Sequence, residues 1–170
     1  MMKKIIGVLI LALAFTSCQE QKIGFIDNGK VINDFQQKID LEAKYKAKGE
    51  SFDKRRDSIS QAYNLDAKAT EMKLARLSQS KQQEGLQEFR QKWQIVQQKL
   101  QFEEEQMSKA FNTEIDSVLT KVKDFVKDYG KSNGYTFILG KNEAGSVMYG
   151  DDAKDLTKAI TDALNEAYKK

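Results

Sequence analysis

The chain has 170 residues with 28 Lys and Arg against 25 Asp and Glu, no histidine, no proline and one cysteine. A net charge of +3 gives no reason to expect a nucleic-acid partner, and the lack of histidine removes the commonest general base and the commonest nitrogen metal ligand. A lone cysteine builds no disulfide framework, so the core or self-association must stabilise the fold.

Lys3 and Lys4 precede an apolar run from Ile5 to Phe15, followed by Thr16, Ser17 and Cys18. That is the layout of a signal peptide over residues 1–17, its apolar run falling short of the roughly 20 residues that span a bilayer. Removal of the leader takes Lys3 and Lys4 with it and leaves a nearly neutral chain, 18–170, of single-domain size. The segment Leu13-Ala14-Phe15-Thr16-Ser17-Cys18 resembles a bacterial lipobox, with Phe15 where an aliphatic residue is usual. The resemblance implies diacylglycerol on the Cys18 thiol and a lasting membrane anchor. The alternative is ordinary leader cleavage, which leaves Cys18 free or disulfide-linked.

Residues 22–27 alternate apolar and small side chains and predict a strand, closed by the turn residues Asp27-Asn28-Gly29. From Lys30 to Tyr129 only Gly49 and Gly85 interrupt a sequence rich in Lys, Glu, Gln, Ala and Leu, which predicts long helix of coiled-coil type. Leu86, Phe89, Trp93, Val96 and Leu100 step by three and four as heptad core positions do. Farther on, Met107, Phe111 and Ile115 lie four apart, a stutter that relaxes supercoiling. The first half is sparser, with Tyr45, Phe52 and Ile59 seven apart. A single helix of this length would be about 150 Å long and could not bury such a stripe on itself.

Ser80 and Gln83 have capping-box spacing, which predicts a hairpin with arms over about 30–77 and 81–131 and a tip at 78–80. Lys54-Arg55-Arg56 and Glu103-Glu104-Glu105 are the triple like-charge runs of this region. Pairing them antiparallel centres the hairpin on that tip and sets Arg55 near Glu104, Phe52 opposite Met107 and Ile59 opposite Leu100. Exposed ion pairs of this kind contribute about 0.2–1 kcal/mol each and select register more than they stabilise. The sparse first arm, with Gly49 inside it, predicts arms that flex and splay.

Within 135–150 two strands are expected, Tyr135–Leu139 and Ser146–Tyr149, joined by a Gly140–Gly145 loop. A helix over 155–169 closes the chain, with Leu156, Ile160, Ala163 and Leu164 on one face. Three strands make no self-sufficient sheet. The Gly140–Gly145 loop lacks the Gly-Lys-Ser/Thr ending of a phosphate-binding loop, and Asp151-Asp152 reads as capping or turn chemistry at a helix start. No catalytic residue, cofactor or metal site is expected.

In this order, Ile23-Gly24-Phe25-Ile26-Asp27 with Lys30-Val31-Ile32, Gly134-Tyr135 with Phe137-Ile138-Leu139, Val147-Met148-Tyr149, Asp155-Leu156-Thr157 and Ala163-Leu164-Asn165 resemble the Skp/OmpH family of periplasmic chaperones. The resemblance implies a mainly α fold with a small β body, completed as a trimeric β-barrel from which helical hairpins project around a cavity. It implies that Ile23, Phe25, Phe137, Leu139, Val147 and Tyr149 build the body. The inner faces of the arms would receive unfolded outer-membrane proteins, with no lining residue matched individually. The implied activity is ATP-independent holding of envelope proteins by a lipid-anchored homotrimer facing the periplasm, at the outer membrane in preference to the inner. The competing reading is a structural or adaptor lipoprotein whose coiled coil binds one folded envelope partner.

Overall fold

The structure, a computed structural model, describes residues 21–169; the expected leader and Cys18 lie outside the described residues. The chain divides into two compact units, one made of the described residues through Phe35 together with Lys121 onward, the other of Gln36–Thr120.

In the first unit, strand β1 (Ile23–Asp27) pairs in parallel with β2 (Phe137–Lys141), from Ile23 opposite Phe137 to Asp27 opposite Lys141. Parallel strands need a long crossover, and here the crossover holds the whole helical region. On its other side β1 makes one bridge, Phe25 to Asp155, with the Leu156 N–H donating to the Phe25 carbonyl at 2.8 Å. β1 is therefore the middle element and β2 an edge. Gly24 belongs at this crowded point, because a Cβ there would press on the Leu156 side chain.

Asp27 ends β1 and caps helix α1 (Asn28–Asn33), its carboxylate accepting from the Lys30 N–H at 2.9 Å. The first arm was expected to run unbroken from about residue 30, and the structure corrects this. Asn33 and Asp34 favour local backbone bonds over helix, the Asp34 carbonyl accepts from Asn165 Nδ2 at 3.0 Å, and Phe35 turns into the core edge-on to Tyr168, 5.8 Å between ring centroids. Tertiary packing overrides the local pattern there.

The last helix, here α4 (Thr157–Tyr168), starts with the Asp155 carboxylate accepting from the Thr157 N–H at 2.8 Å, while Thr157 Oγ1 accepts from the Asp27 N–H at 2.9 Å. Its buried face, Leu156, Ile160 and Leu164, covers Val31 and Phe35 in the core of this unit.

In the second unit, helix α2 (Gln36–Leu74) and the first forty-two residues of α3 (Gln79–Ser132) form an antiparallel hairpin. The turn occupies 75–78 and not 78–80, and α3 already includes Ser80. Ser78 starts α3, its carbonyl accepting from the Gln82 N–H at 3.0 Å, and Gln82 Nε2 donates to the Leu77 carbonyl at 2.9 Å. The earlier turn follows from Gly85, whose bare backbone admits the Leu74 side chain; a Cβ at Gly85 would overlap Leu74 Cδ2. Leu74 is buried as a result.

At its far end α3 stops in a Schellman motif: Gly134 takes φ +70°, the Tyr135 N–H reaches the Gly130 carbonyl at 2.9 Å and the Gly134 N–H reaches Lys131 at 3.3 Å. Gly130 thus lies inside the helix, and Gly134 ends it.

The strand expected at Ser146–Tyr149 does not form, and no β-hairpin follows β2. Ser146 Oγ donates to the Gly140 carbonyl at 2.6 Å, but the chain then leaves β2, and Gly150 lies against the Phe25 ring so closely that a Cβ would collide with it. The reason is topological. Asp155 has to reach the side of β1 remote from β2, which draws the preceding segment off the β2 edge.

Candidate functional site

The hairpin is held by a regular series of cross-arm contacts. Lys44 pairs with Glu114 at 2.7 Å, Arg55 with Glu103, and Lys92 with Asp66 at 2.6 Å. Along α2 the partners are residues 44, 55 and 66 and along α3 they are 114, 103 and 92, so both series step by eleven. Eleven residues make three turns of helix at 3.67 residues per turn, which returns each pair to the same side.

The outer two pairs are near copies. Tyr45 donates its hydroxyl to Glu114 at 2.7 Å beside Lys44, and Trp93 donates Nε1–H to Asp66 at 3.3 Å beside Lys92. Tyr45 meets Phe111 edge-on at 5.2 Å, and Trp93 meets Tyr63 edge-on at 5.1 Å. Each clasp therefore joins a lysine, an aromatic donor and a carboxylate over a T-shaped ring pair, a geometry that aromatic quadrupoles favour.

The Glu114 carboxyl is held below its ordinary range, chiefly by the Lys44 ammonium and then by the Tyr45 hydroxyl, with Lys48 nearby. Lys92 does the same for Asp66, and Glu114 in turn raises the Tyr45 hydroxyl. A carboxyl whose pKa is depressed on folding stabilises the fold above its unfolded value, and that contribution is lost as pH falls through the folded value. Acidification below about pH 4, the ordinary carboxylate range, should loosen both clasps. Amide exchange of the hairpin followed from pH 6 downward should show the loss of protection, and Glu114→Gln with Asp66→Asn should flatten it; unchanged acid sensitivity in that double variant would assign it to other carboxylates.

Of the charge runs, Arg55 and Glu103 meet, one residue along from the expected Glu104. Arg56 turns to Asp53 at 3.0 Å, Glu105 accepts from Gln101 Nε2 at 3.1 Å, and Lys54 and Glu104 are exposed. Phe52 and Leu100 are buried, whereas Ile59 and Met107 are half-buried. The clasps at Tyr45 and Trp93 escaped a search for triple charge runs; the eleven-residue recurrence of Lys44, Arg55 and Asp66 was the available signal.

Large apolar side chains also stand bare on this otherwise charged hairpin. Leu65 is 71% exposed, Met72 67%, Ile95 53% and Phe102 62%. Leu65 and Ile95 each follow the aromatics Tyr63 and Trp93 by two residues, Phe102 follows the buried Leu100 by two, and Met72 precedes the buried Leu74 by two. Two residues turn a helix by about 200°. All four therefore point away from the seam.

In the first unit, Phe25 lies in the core, Ile23 sits at the limit of exposure and Val147 is half-buried, while Phe137 (54%), Leu139 (46%), Met148 (88%) and Tyr149 (87%) stand in solvent. Of the six residues that the resemblance assigned to the body, Ile23 pairs with Phe137 and Phe25 with Leu139 across the sheet. Val147 and Tyr149 join no strand. Asp151 caps the 3₁₀ turn at Asp152–Lys154, accepting from the Ala153 N–H at 2.9 Å. Cys18 lies outside the described residues.

No curated protein matches the sequence. The fold is similar to the crystal structure of a candidate outer membrane chaperone (OmpH-like) from Caulobacter crescentus, with a TM-score of 0.74 at 14% identity over 89% of this chain and 88% of that one. The family model of outer membrane protein (OmpH-like) matches residues 22–164. A match over that span takes in both strands, both arms and most of the last helix, and the chain belongs to the OmpH-like family.

Proposed function

We propose that this protein is an ATP-independent holdase for unfolded outer-membrane or other envelope proteins. It is exported, anchored through lipid on Cys18 and faces the periplasm, at the outer membrane in preference to the inner. Copies assemble through their β bodies as a homotrimer, and the hairpins hold the client.

The observation that carries this reading is the set of bare side chains Leu65, Met72, Ile95 and Phe102 on the hairpin. Large apolar residues present about 150–250 Å² each when aromatic and somewhat less when aliphatic, so the four offer roughly 500 Å² in scattered pieces. A stable folded partner needs about 800 Å² per side in one complementary patch, which disfavours the adaptor reading. Scattered apolar contacts suit an extended chain whose own apolar groups are irregularly spaced. Binding that is confined to the unfolded state opposes its aggregation by mass action and needs no nucleotide.

The test dilutes a denatured β-barrel membrane protein into buffer with the mature chain and follows light scattering. Several-fold excess of the assembled protein should keep the client soluble. Replacing Leu65, Met72, Ile95 and Phe102 together by serine should weaken holding at least tenfold with helicity unchanged. No suppression by the parent protein would remove the reading.

A further inference from the structure

The two arms meet the same water with different surfaces. Over residues 51–74, α2 carries nine charged side chains and one glutamine, whereas residues 79–101 of α3 carry nine glutamines and six charges. A solvated helix face is ordinarily charged, so wetting alone does not account for the contrast. Gln83, Gln87, Gln91, Gln94 and Gln98 stand two residues before Gly85, Phe89, Trp93, Val96 and Leu100 in turn. Those second residues line the seam: Gly85 receives Leu74, Phe89 and Trp93 meet Tyr63, Val96 is half-buried and Leu100 is buried. Two residues turn a helix by about 200°, so the five amides share the face opposite the seam, and all five are exposed.

Neighbouring glutamines bond within the chain, Gln82 to the Leu77 carbonyl and Gln101 to Glu105, but among the described residues none of these five amides has a hydrogen-bond partner. The bare Ile95 follows Gln91 by four residues and precedes Gln98 by three, and the bare Phe102 follows Gln98 by four. At those spacings both adjoin the row of amides.

A glutamine amide offers a carbonyl acceptor and two N–H donors without charge, whereas lysine only donates and glutamate only accepts. An extended polypeptide presents the same uncharged mixture, an N–H and a C=O on one edge at every second residue. From Gln83 to Gln98 the row is about 22 Å long, the length of roughly seven residues of extended chain. The steps of about 5–6 Å between helical neighbours are shorter than the roughly 6.7 Å strand repeat, and the rotatable glutamine side chains take up the difference. In a folded partner the backbone groups are already paired, so such a row selects chains whose backbone is open.

We propose that the outer face of α3 from Gln83 to Gln98 binds the backbone of an extended, unfolded polypeptide through its glutamine amides, with Ile95 and Phe102 receiving apolar side chains beside it. Recognition is then indifferent to the sequence and charge of the bound chain, because every residue but proline carries the same two backbone groups. This rests on the holding of unfolded chains in the proposed function and assigns the backbone as the group recognised.

The test uses two fluorescent peptides, one of alternating threonine and valine between terminal lysines, the other identical but with its central amides N-methylated. Methylation removes the donors on both edges and leaves every side chain. In anisotropy titrations the mature chain should bind the plain peptide at least tenfold more tightly. Replacing all five glutamines by alanine, the strongest helix former, leaves Ile95 and Phe102 in place. That variant should keep its helicity, lose the preference between the peptides and hold a denatured β-barrel protein at least tenfold more weakly. Equal binding of the two peptides by the parent, or undiminished holding by the five-alanine variant, would overturn this assignment alone. Failure of the parent to hold the denatured protein would remove the proposed function and this assignment with it. Retention on insoluble peptidoglycan by the parent and not by the variant, with the two peptides bound equally, would give the face to a glycan chain and overturn the assignment.

Discussion

Replacing Phe35 by alanine should cost about 3–5 kcal/mol of folding stability, the range for emptying a large aromatic site from a packed core. Phe35 is 2% exposed and stands where α1 has ended and α2 has not begun. Its ring meets the edge of Tyr168, and the chain on either side is fixed, Asp34 by Asn165 and by its own N–H on the Lys30 carbonyl at 2.9 Å. The surroundings can therefore collapse only partly into the void. Val31 and Ile160, both fully buried, share that core. Chemical denaturation at a fixed protomer concentration, needed because assembly would add a concentration-dependent term, measures the effect. Ile160→Val should cost about 0.5–1.5 kcal/mol in the same assay. A loss under 1 kcal/mol for Phe35→Ala would show that the ring does not anchor this unit.

Trp93→Ala should loosen the hairpin by about 3 kcal/mol, the low end for a large aromatic because a two-helix layer relaxes more readily than a closed core. Three contacts go at once: the edge contact with Tyr63, the tilted contact with Phe89 at 6.2 Å and the indole donor to Asp66. Asp66 keeps Lys92. Because Trp93 is the only tryptophan, fluorescence cannot follow the variant, and amide exchange across residues 60–100 is the appropriate readout. Trp93→Phe retains most of the packing and removes the N–H, so it should cost about 1 kcal/mol, the net worth of one hydrogen bond. Equal loss of protection in the two variants would place the whole effect in the bond to Asp66.

The long helices were legible in sequence because their composition leaves little alternative: a hundred residues without proline, with good helix formers throughout. The meeting of the two charge runs, through Arg55 and Glu103, was legible to within one residue. A search by heptads and charge runs has no means of finding an eleven-residue recurrence. The break at Asp34 and Phe35 was hidden for a different reason, since it depends on Asn165 and Tyr168, about 130 residues away. Ser80 looked like a cap and is not one, because the fit of Leu74 against Gly85 fixes where the chain reverses. Ser146–Tyr149 reads as a strand from its residues alone, and whether it becomes one depends on which edge is within its reach. The bare residues of the hairpin were visible in sequence, but their outward direction followed only from knowing which neighbours two positions away are buried or, like Tyr63, meet the other arm.

The eleven-residue step of the cross-arm pairs has a mechanical consequence. Helices joined by a seven-residue repeat wrap around each other like strands of rope, and parting them requires each to rotate about the other. At 3.67 residues per turn the contact line drifts the other way and more slowly per residue, which favours a shallow right-handed wrap, with Lys44–Glu114, Arg55–Glu103 and Lys92–Asp66 spaced along it like snap fasteners. The two arms can then be peeled open from the tip, one fastener at a time, with less twist to undo than in a heptad-wound pair of the same length.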